Sequence, residues 1–396
     1  MRSITGIRAG RTHRNGENMG KKKVILIGPV YPYKGGISHY TGQMYRELAK
    51  KHEVVMLSYK MQYPKILFHK EQRDYENDSF KVEDTKYMLH TANPFNIIKT
   101  AGFIRKYRPD MVVIQWWHPY FAPCYRILET FMGKQNLVFV CHNVFPHERF
   151  PMDKFLTKAA LSRGKHFVVH AKEEGEELKK IKKEPDHAVT PHPTYNMFRF
   201  ENLTRKQARE KLGIGEEERI LLFFGFVREY KGLKHLLHAI PLLQKECAGI
   251  RLLVVGDFDG NKEEYEELIR GLRIEDQVSV IDGYTPDREV EKYFAASDLV
   301  VLPYESATQS GIVQIAFGFE RPVVVTRVGG LPDVVRDGKT GYIAAPCDPE
   351  ALAEKITLFF KGKKAEEFEE NIRKEAARFS WERMGEVLEG FFDRTL

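Results

Sequence analysis

The chain has 396 residues, of which 42% are hydrophobic, and its formal net charge at pH 7 is +7. This length exceeds what one ordinary hydrophobic core accommodates, so two domains are expected. The longest apolar runs, such as residues 24–27 and 299–302, fall far short of the roughly 20 residues that cross a bilayer. The sequence therefore argues against an integral membrane protein.

The positive charge is concentrated at the amino terminus. Residues 1–23 carry seven Lys and Arg side chains against Glu17, so they hold six of the seven net charges. We expect residues 1–20 to be a disordered basic tail, and a tail of this kind can associate with an anionic membrane surface. The nearly neutral remainder gives no support for nucleic-acid binding. Because the tail lacks the apolar core of a secretion signal, we expect a cytoplasmic protein, with peripheral association at the inner membrane face as a refinement.

The cysteines and histidines show no metal-binding spacing. Cys124, Cys141, Cys247 and Cys347 lie far apart without a C-x-x-C pair, which argues against both a zinc site and a disulfide framework. The fourteen histidines form no H-E-x-x-H pattern, and no glycine-rich P-loop is present. The sequence therefore predicts neither a metal site nor another cofactor.

Short apolar segments in the first half are typical of buried strands. They are residues 23–27, 53–57, 111–115, 137–141 and 166–169. Helical periodicity lies between several of them, for example in residues 42–50 and 94–106. This alternation predicts a parallel, doubly wound α/β sheet.

The same alternation restarts in the second half. The predicted strands there are residues 220–224, 252–255, 278–281, 299–302 and 323–326. Between the halves, Pro191, Pro193 and residues 195–204 show little apolar periodicity, which indicates a linker with a hinge near residues 192–202. Two similar domains follow, and in such sheets ligands bind outside the carboxyl ends of the strands.

One strand-to-helix loop, residues 225–232, contains two cations, Arg228 and Lys231. A diphosphate leaving group needs cations or amide donors to offset the charge that grows on it as its bond breaks. Two basic residues in a loop also commonly form nothing more than a solvated face. The neighbouring strand ends favour the functional interpretation.

A second strand is followed by residues 303–317, in which the turn Thr308–Gly311 leads into an apolar helix. Unpaired amides at such a helix start bind phosphate through hydrogen bonds and the helix dipole. The alternative is an ordinary helix start that Ser310 or Thr308 caps.

In the first half, Gly35 and Gly36 follow the first strand and precede a helix. Paired glycines allow close approach of a ligand to the backbone, although they also serve as a simple turn. The segment is not a dinucleotide fingerprint, because no G-x-G-x-x-G occurs there.

The fourth strand is followed by a polar cluster that includes His142, Asn143 and His147. Such side chains can position hydroxyl groups or exchange protons, although a loop histidine is more often structural. After the third strand, Trp117 and His118 offer surfaces suited to stacking on sugars, but tryptophan more often fills a core.

Taken together, these segments resemble the group 4 family of retaining, nucleotide-sugar-dependent glycosyltransferases, described as the "glycosyl transferases group 1" type. The most specific elements are the loop 225–232, the strand end 298–304, and residues 321–335 with 337–342. The resemblance extends over nearly the whole chain from Lys21 onward.

The resemblance implies the GT-B fold, in which two Rossmann-like, doubly wound domains face each other across a cleft. Residues 21–195 would form an acceptor-binding domain and residues 196–375 a domain that binds the nucleotide sugar. Residues 376–396 would form a helix that returns to the first domain.

The resemblance also assigns site residues. His142 would lie near the transferred sugar, and Arg228 and Lys231 on the diphosphate, as the catalytic residues. The predicted donor-binding residues are Gly35, Gly36, Gly225, Tyr284, Thr285, Glu305, Thr308, Gln309, Ser310, Gly311 and Ile312. On the acceptor side we place Trp117, His118, Asn143 and His147. No metal is expected in the reaction.

One departure from the family concerns two glutamates that usually lie eight residues apart around the phosphate-binding helix. Ala307 and Ile315 occupy those positions here, and Glu305 is two residues away. The ribose contacts are therefore in doubt, and Gln309 or Gln314 are the candidate substitutes.

The predicted function is retaining transfer of a hexose-type sugar from a nucleoside-diphosphate sugar to a hydroxyl of a glycan, glycolipid or small acceptor. The missing glutamates motivate an alternative, a non-catalytic sugar-nucleotide-binding subunit of a glycan assembly system. A GT-B epimerase or phosphorylase is a third interpretation.

Overall fold

The computed structural model describes residues 20–68, 71–75, 78–146, 149–258 and 260–394. Nearly all of the predicted basic tail lies outside these residues. The described chain forms two parallel sheets, each flanked by helices, and the predicted α/β fold class with two Rossmann-like domains is confirmed.

The strands are β1 (Lys23–Ile27), β2 (Glu53–Met61), β3 (Lys86–His90), β4 (Met111–Trp116), β5 (Leu137–Cys141), β6 (His166–Val169), β7 (Asp186–Val189), β8 (Arg219–Phe224), β9 (Ile250–Gly256), β10 (Val278–Asp282), β11 (Leu299–Leu302), β12 (Val323–Thr326) and β13 (Gly341–Ala344).

The helices are α1 (Gly36–Ala49), α2 (Pro94–Tyr107), α3 (Ala122–Phe131), α4 (Asp153–Leu161), α5 (Lys172–Lys179), α6 (Arg205–Leu212), α7 (Leu233–Glu246), α8 (Lys262–Leu272), α9 (Asp287–Ala296), α10 (Gly311–Gly318), α11 (Leu331–Val334), α12 (Pro349–Lys361), α13 (Ala365–Glu375) and α14 (Trp381–Glu389).

The first sheet has the strand order β3-β2-β1-β4-β5-β6-β7, and the second has the order β10-β9-β8-β11-β12-β13. Every residue of β4 and β5 is buried, because helices cover both faces of a parallel sheet. Their apolar runs are therefore continuous rather than alternating. The order of strands reverses beside β1 and beside β8, which places a crevice at the carboxyl edge of each sheet.

Three strands of the structure were not predicted from the sequence, and all three lie at sheet edges. β3 and β7 are half exposed and carry charged residues, so they lack the apolar run of a central strand. β13 is buried but only four residues long. The missed strands make each sheet wider without altering which strand ends meet at the crevice.

The chain crosses between the sheets twice. On the way out, the backbone of residues 200–203 is held by the buried carboxylate of Glu291, which accepts three N–H bonds of 2.7 Å from Phe200, Glu201 and Leu203. On the way back, α14 packs Met384 and Leu388 into the core of the first sheet. Within the described ranges, no helix has the length and apolar character needed to span a bilayer.

Candidate active site

A cavity of about 430 Å³ lies between the two domains, at the carboxyl ends of both sets of strands. Its walls come from the loops after β1, β5 and β6 in the first domain and after β8, β9, β10 and β11 in the second. This is the place where the topology of open parallel sheets puts a ligand. Twelve of the predicted site residues line it: Gly35, Gly36, His142, Asn143, Gly225, Lys231, Tyr284, Thr285, Thr308, Gln309, Gly311 and Ile312.

Two helices, one from each domain, begin at the cavity. Gly36 starts α1 and Gly311 starts α10, and both residues line the cavity wall. Among the described residues, no side chain caps either helix, and neither first turn contains an acidic residue. The unpaired amides and the positive ends of both helix dipoles therefore face the same space, which suits an anionic ligand. Gly35 reaches this geometry with φ at 103°, a value that favours glycine.

Lys231 supplies the cation at the cavity. Its Nζ lies over the ring of Tyr304, 5.3 Å from the centroid, and 3.4 Å from where a side chain at Gly225 would begin. Burial lowers the pKa of Lys231, Tyr230 partly offsets that effect, and the charge of Arg228 adds to the lowering. A poorly solvated ammonium gains more from an incoming phosphate than one already stabilised by water.

Polar contacts join the two domains around the cavity. The hydroxyl of Thr308 donates to the side-chain oxygen of Asn143, and the amide of Gln309 donates to the carbonyl oxygen of His170 over 2.9 Å. His39 Nε2 lies 2.9 Å from a carboxylate oxygen of Asp287. The described structure is therefore a closed arrangement of the cleft.

Three histidines form one wall of the cavity. The ring centroids of His142 and His170 are 5.7 Å apart, those of His170 and His192 are 5.2 Å apart, and Tyr40 contacts all three rings. Burial lowers the pKa of His170 to about 4 and that of His192, with a further contribution from His170, to about 3. The pKa of His142 is also well below its ordinary value, because of burial and then of the other two rings. The wall is therefore neutral at pH 7.

Hydrogen bonds fix the tautomers of two of these rings. His142 Nε2 donates to the side-chain oxygen of Gln115 over 2.8 Å, which leaves Nδ1 with a lone pair. His170 Nδ1 donates to the carbonyl oxygen of Thr190 over 3.0 Å. Its Nε2 is buried and has no hydrogen-bond partner within the described part of the chain. His142 therefore offers an imidazole acceptor on the cavity wall, whereas the acceptor nitrogen of His170 is buried.

One part of the cavity wall is apolar. Phe224, Val255, Val290 and Ile315 line it, next to the predicted Tyr284 and Thr285. Lys34, from the first domain, lies over the Tyr284 ring at 5.0 Å from its centroid. A flat aromatic ligand group fits this part better than a charged one.

Three predicted residues of the second domain are not on the cavity wall. Arg228 is exposed in the same loop as Lys231. Ser310 is buried, with its hydroxyl 3.4 Å from that of Tyr304. The carboxylate of Glu305 binds His235 over 2.9 Å and Lys234 over 3.1 Å. It is therefore directed to the start of α7, and its predicted contact with the donor is not supported.

The structure also does not bring Trp117 and His118 to the cavity. Trp117 packs on Phe121 at 4.3 Å and donates its ring N–H to Tyr63, which makes it part of the domain core. The ring of His118 accepts from the backbone of Tyr120, which caps a short helical turn. His147 lies outside the described residues.

Several cavity residues were not predicted from the sequence, notably His39, Asp287, His192 and Tyr195. His39 is the fourth residue of α1 and Asp287 is the first residue of α9, so both lie in helices rather than in the loops that follow the strands. His192 and Tyr195 lie in the linker, where the Tyr195 hydroxyl is 3.3 Å from His192 Nε2 and 3.3 Å from the carbonyl oxygen of Gly36. No local pattern distinguishes such linker residues.

The fold and the cavity define a two-domain protein whose cavity between the sheets suits an anionic ligand, and its family is known from two matching family models. The family model "glycosyl transferases group 1" matches residues 204–378, and the model "glycosyltransferase family 4" matches residues 34–193. Together they cover most of the chain. The chain belongs to the group 1 glycosyltransferases, and the predicted resemblance is confirmed.

Curated relatives carry related names. A D-inositol 3-phosphate glycosyltransferase of Streptomyces scabiei is 30% identical over 197 residues, which cover 48% of this chain and 44% of the relative. A lipopolysaccharide 1,2-N-acetylglucosaminetransferase of Salmonella typhimurium is 28% identical over 47% of this chain and 52% of its own. The chain thus spans about half the length of the curated relatives it matches.

Solved structures share the fold. Sucrose-phosphate synthase of Thermosynechococcus elongatus superposes with a TM-score of 0.71 at 19% identity, over 95% of this chain and all of the other. HepE of Anabaena, solved with UDP and glucose, gives a TM-score of 0.75 at 15% identity, over 94% of this chain and all of the other. At these identities the likeness establishes the GT-B architecture alone.

The neutral histidine wall predicts a loss of stability in acid. His170 and His192 have folded-state pKa values below 6.5, so the unfolded chain binds protons first as the pH falls through 6.5. Stability is therefore unaffected above that pH and declines below it, by roughly 2 kcal/mol per histidine between pH 7 and pH 5. Urea unfolding at both pH values measures this loss.

The matched variants are His170→Asn and, as a control, His238→Asn on the exposed side of α7. His170→Asn should reduce the acid-dependent loss by about one histidine's share, whereas the control should keep the loss of the parent. Equal acid sensitivity in all three proteins would contradict the burial argument.

Proposed function

We propose that this chain is a retaining glycosyltransferase that moves a hexose-type sugar from a nucleoside-diphosphate sugar to a hydroxyl of a glycan, glycolipid or small acceptor. The observation that carries the proposal is the convergence of Lys231 with two uncapped helix starts on one cavity. That arrangement suits a diphosphate, and the neutral polar wall beside it suits sugar hydroxyls.

The donor has one orientation that matches the cavity. Its base lies at the apolar part beside Tyr284 and Thr285, and its diphosphate lies between Lys231 and the amides of Gly311 and Gly36. The sugar then meets His142 and Asn143. UDP and glucose in the related HepE structure support a donor of this type.

The chemical step needs stabilisation of negative charge more than a protein base. The bond between the anomeric carbon and the diphosphate breaks, and the acceptor oxygen bonds to that carbon on the same face. The acceptor proton passes to the departing diphosphate oxygen. Lys231 and the helix amides stabilise the charge that develops on this oxygen.

The histidines hold the sugar and do not supply protons. His142 is neutral and donates through Nε2 to Gln115, so its Nδ1 accepts a hydrogen bond from a sugar hydroxyl. A neutral acceptor suits hydroxyl groups because it can accept their hydrogen bonds. Since it carries no charge, it neither repels Lys231 nor competes with Lys231 for the diphosphate.

Gln309 is the better candidate for the missing ribose contact. It lines the cavity, its amide nitrogen is held by the carbonyl of His170, and its oxygen is buried without a partner in the described residues. Gln314, the other candidate, is fully buried and is not on the cavity wall. The Gln309 oxygen would accept from a hydroxyl of the donor.

The missing glutamates motivate an alternative function, that of a non-catalytic sugar-nucleotide-binding subunit. The two functions differ in one measurement, release of free nucleoside diphosphate from a panel of donors with and without acceptors. Turnover supports the transferase. Saturable donor binding without any release would establish the binding subunit instead.

Replacing Lys231 by alanine should lower turnover much more than stability. The lost cation meets charge that grows in the transition state, and such a loss typically costs about 2 to 4 kcal/mol of barrier, or roughly 30- to 1,000-fold in rate. Arg228→Ala should have a smaller effect, because its side chain is exposed. Nucleoside-diphosphate release under saturating donor measures both.

The control is Lys245→Ala, which removes an exposed lysine from the far end of α7. It should keep the parent's turnover. Turnover of Lys231→Ala within threefold of the parent would remove Lys231 from the proposed role.

The proposed reaction uses no divalent ion, because Lys231 and the amides take the electrostatic role that a metal has in other enzymes. Turnover in excess chelator should therefore stay close to that of untreated protein. Loss of turnover that magnesium or manganese restores would show that the diphosphate needs a metal partner.

We also infer that the basic tail binds anionic lipid at the cytoplasmic membrane face, where lipid-linked acceptors would lie. Each basic residue near such a surface contributes about 1 kcal/mol at most. Removing residues 1–20 should weaken co-sedimentation with anionic vesicles and reduce its dependence on salt. Turnover on a soluble acceptor should not change.

A full-length variant with Arg2, Arg8, Arg11 and Arg14 changed to glutamine separates charge from length. It should match the truncated chain in vesicle binding. If both variants bind vesicles as the parent does, the tail has no membrane role.

A further inference from the structure

Three side chains with different metal-binding groups come together behind the cavity wall. They are His235 on α7, Glu305 after β11 and Cys347 after β13. Their ligand atoms all lie within 4.8 Å of one another, and His235 Nε2 is 2.9 Å from a carboxylate oxygen of Glu305. Residues separated by 70 and 42 positions in the sequence thus form one compact cluster.

We propose that this cluster binds a zinc ion. An imidazole, a carboxylate and a thiolate are the three ligand types that zinc takes in proteins, at about 2.0 to 2.3 Å. Ligand atoms around a tetrahedral zinc ion are therefore about 3.3 to 3.6 Å apart. The cluster needs shifts of roughly an ångström or less to reach that spacing, and water supplies the fourth ligand.

The charges of the cluster suit a divalent cation once one neighbour moves. The carboxylate and a thiolate together neutralise the ion. Lys234 lies 3.1 Å from Glu305 and opposes metal binding, but its side chain is 40% exposed and Glu229 is an alternative partner at 3.5 Å. Lys234 can therefore turn to Glu229 when the ion binds.

The sulfur of Cys347 lies within 4.8 Å of the ligand atoms of His235 and Glu305. It is carried by a turn after β13, where the φ of Cys347 is 56°. Cys347 is also the only exposed cysteine of the four.

The proposed ion would hold the loop that carries Lys231. The backbone N–H of Glu305 donates to the carbonyl oxygen of Tyr230 over 2.7 Å, and His235 lies four residues after Lys231. Zinc would thus tie this loop to the ends of two strands. None of the three ligands lies among the described residues of the cavity wall, so the ion is separate from the reacting groups.

The test is titration of the chelator-treated, full-length chain with zinc chloride in a calorimeter. We expect one ion per chain, with release of the thiol proton, seen as a heat that depends on the buffer. His235→Ala and Cys347→Ser should each weaken binding by at least about tenfold. His238→Ala, on the same helix, and Cys247→Ser, in the core, are the matched controls.

Cobalt gives an independent readout of the same site. Bound cobalt should show thiolate-to-metal charge-transfer absorption that Cys347→Ser abolishes and Cys247→Ser retains. The absence of saturable zinc binding, or equal affinity in parent and ligand variants, would overturn the site. Because both readouts are independent of sugar transfer, failure of the proposed enzymatic function leaves this test unaffected.

Discussion

The closed cleft depends on hydrogen bonds that join one domain to the other at the carboxyl ends of their strands. Gln309 bonded to the His170 carbonyl and His39 bonded to Asp287 are the clearest examples. These contacts turn two open crevices into one cavity. Since each pairs polar groups that water would otherwise solvate, opening the cleft has a small net cost. A donor that contacts both walls favours closure because it binds the closed form better.

Burial determines the electrostatics of the cavity more than the number of charged residues does. The same desolvation that keeps His142, His170 and His192 neutral also lowers the pKa of Lys231. A neutral sugar-facing wall therefore lies beside a poorly solvated cation. An anionic diphosphate would compensate that cation, whereas the neutral wall suits hydroxyl groups. Desolvation thus accounts for both parts of the proposed nucleotide-sugar site, the cation for the diphosphate and the neutral wall for the sugar.

Glu305 connects the departure from the family pattern with the proposed zinc site. The usual carboxylates near α10 are absent, and Ala307 and Ile315 stand at their positions. The nearby Glu305 instead faces His235 and Lys234 on the other side of the loop. A carboxylate that does not line the cavity is thereby placed among potential metal ligands. In the proposed donor site, the polar contacts would then come from Gln309 and from backbone amides.

The sequence by itself determined the central strands, the two-domain α/β architecture and the loops that reach the cavity. Continuous apolar runs reveal buried parallel strands, and topology places the residues after them, such as Gly36, His142, Lys231 and Tyr284, at one edge. Edge strands such as β3 were not predicted, because their exposed residues interrupt the apolar run.

Only the tertiary structure decided which side chains meet. His39 and Asp287 are 248 residues apart, and no local spacing links them. The local sequence around Trp117 does not indicate whether its ring faces the cleft or the core. In the structure the ring packs into the core. The proposed zinc ligands His235, Glu305 and Cys347 likewise share no spacing, because three separate β-α segments bring them together. Local patterns fix where the backbone goes, whereas the packing of distant segments fixes where a side chain points.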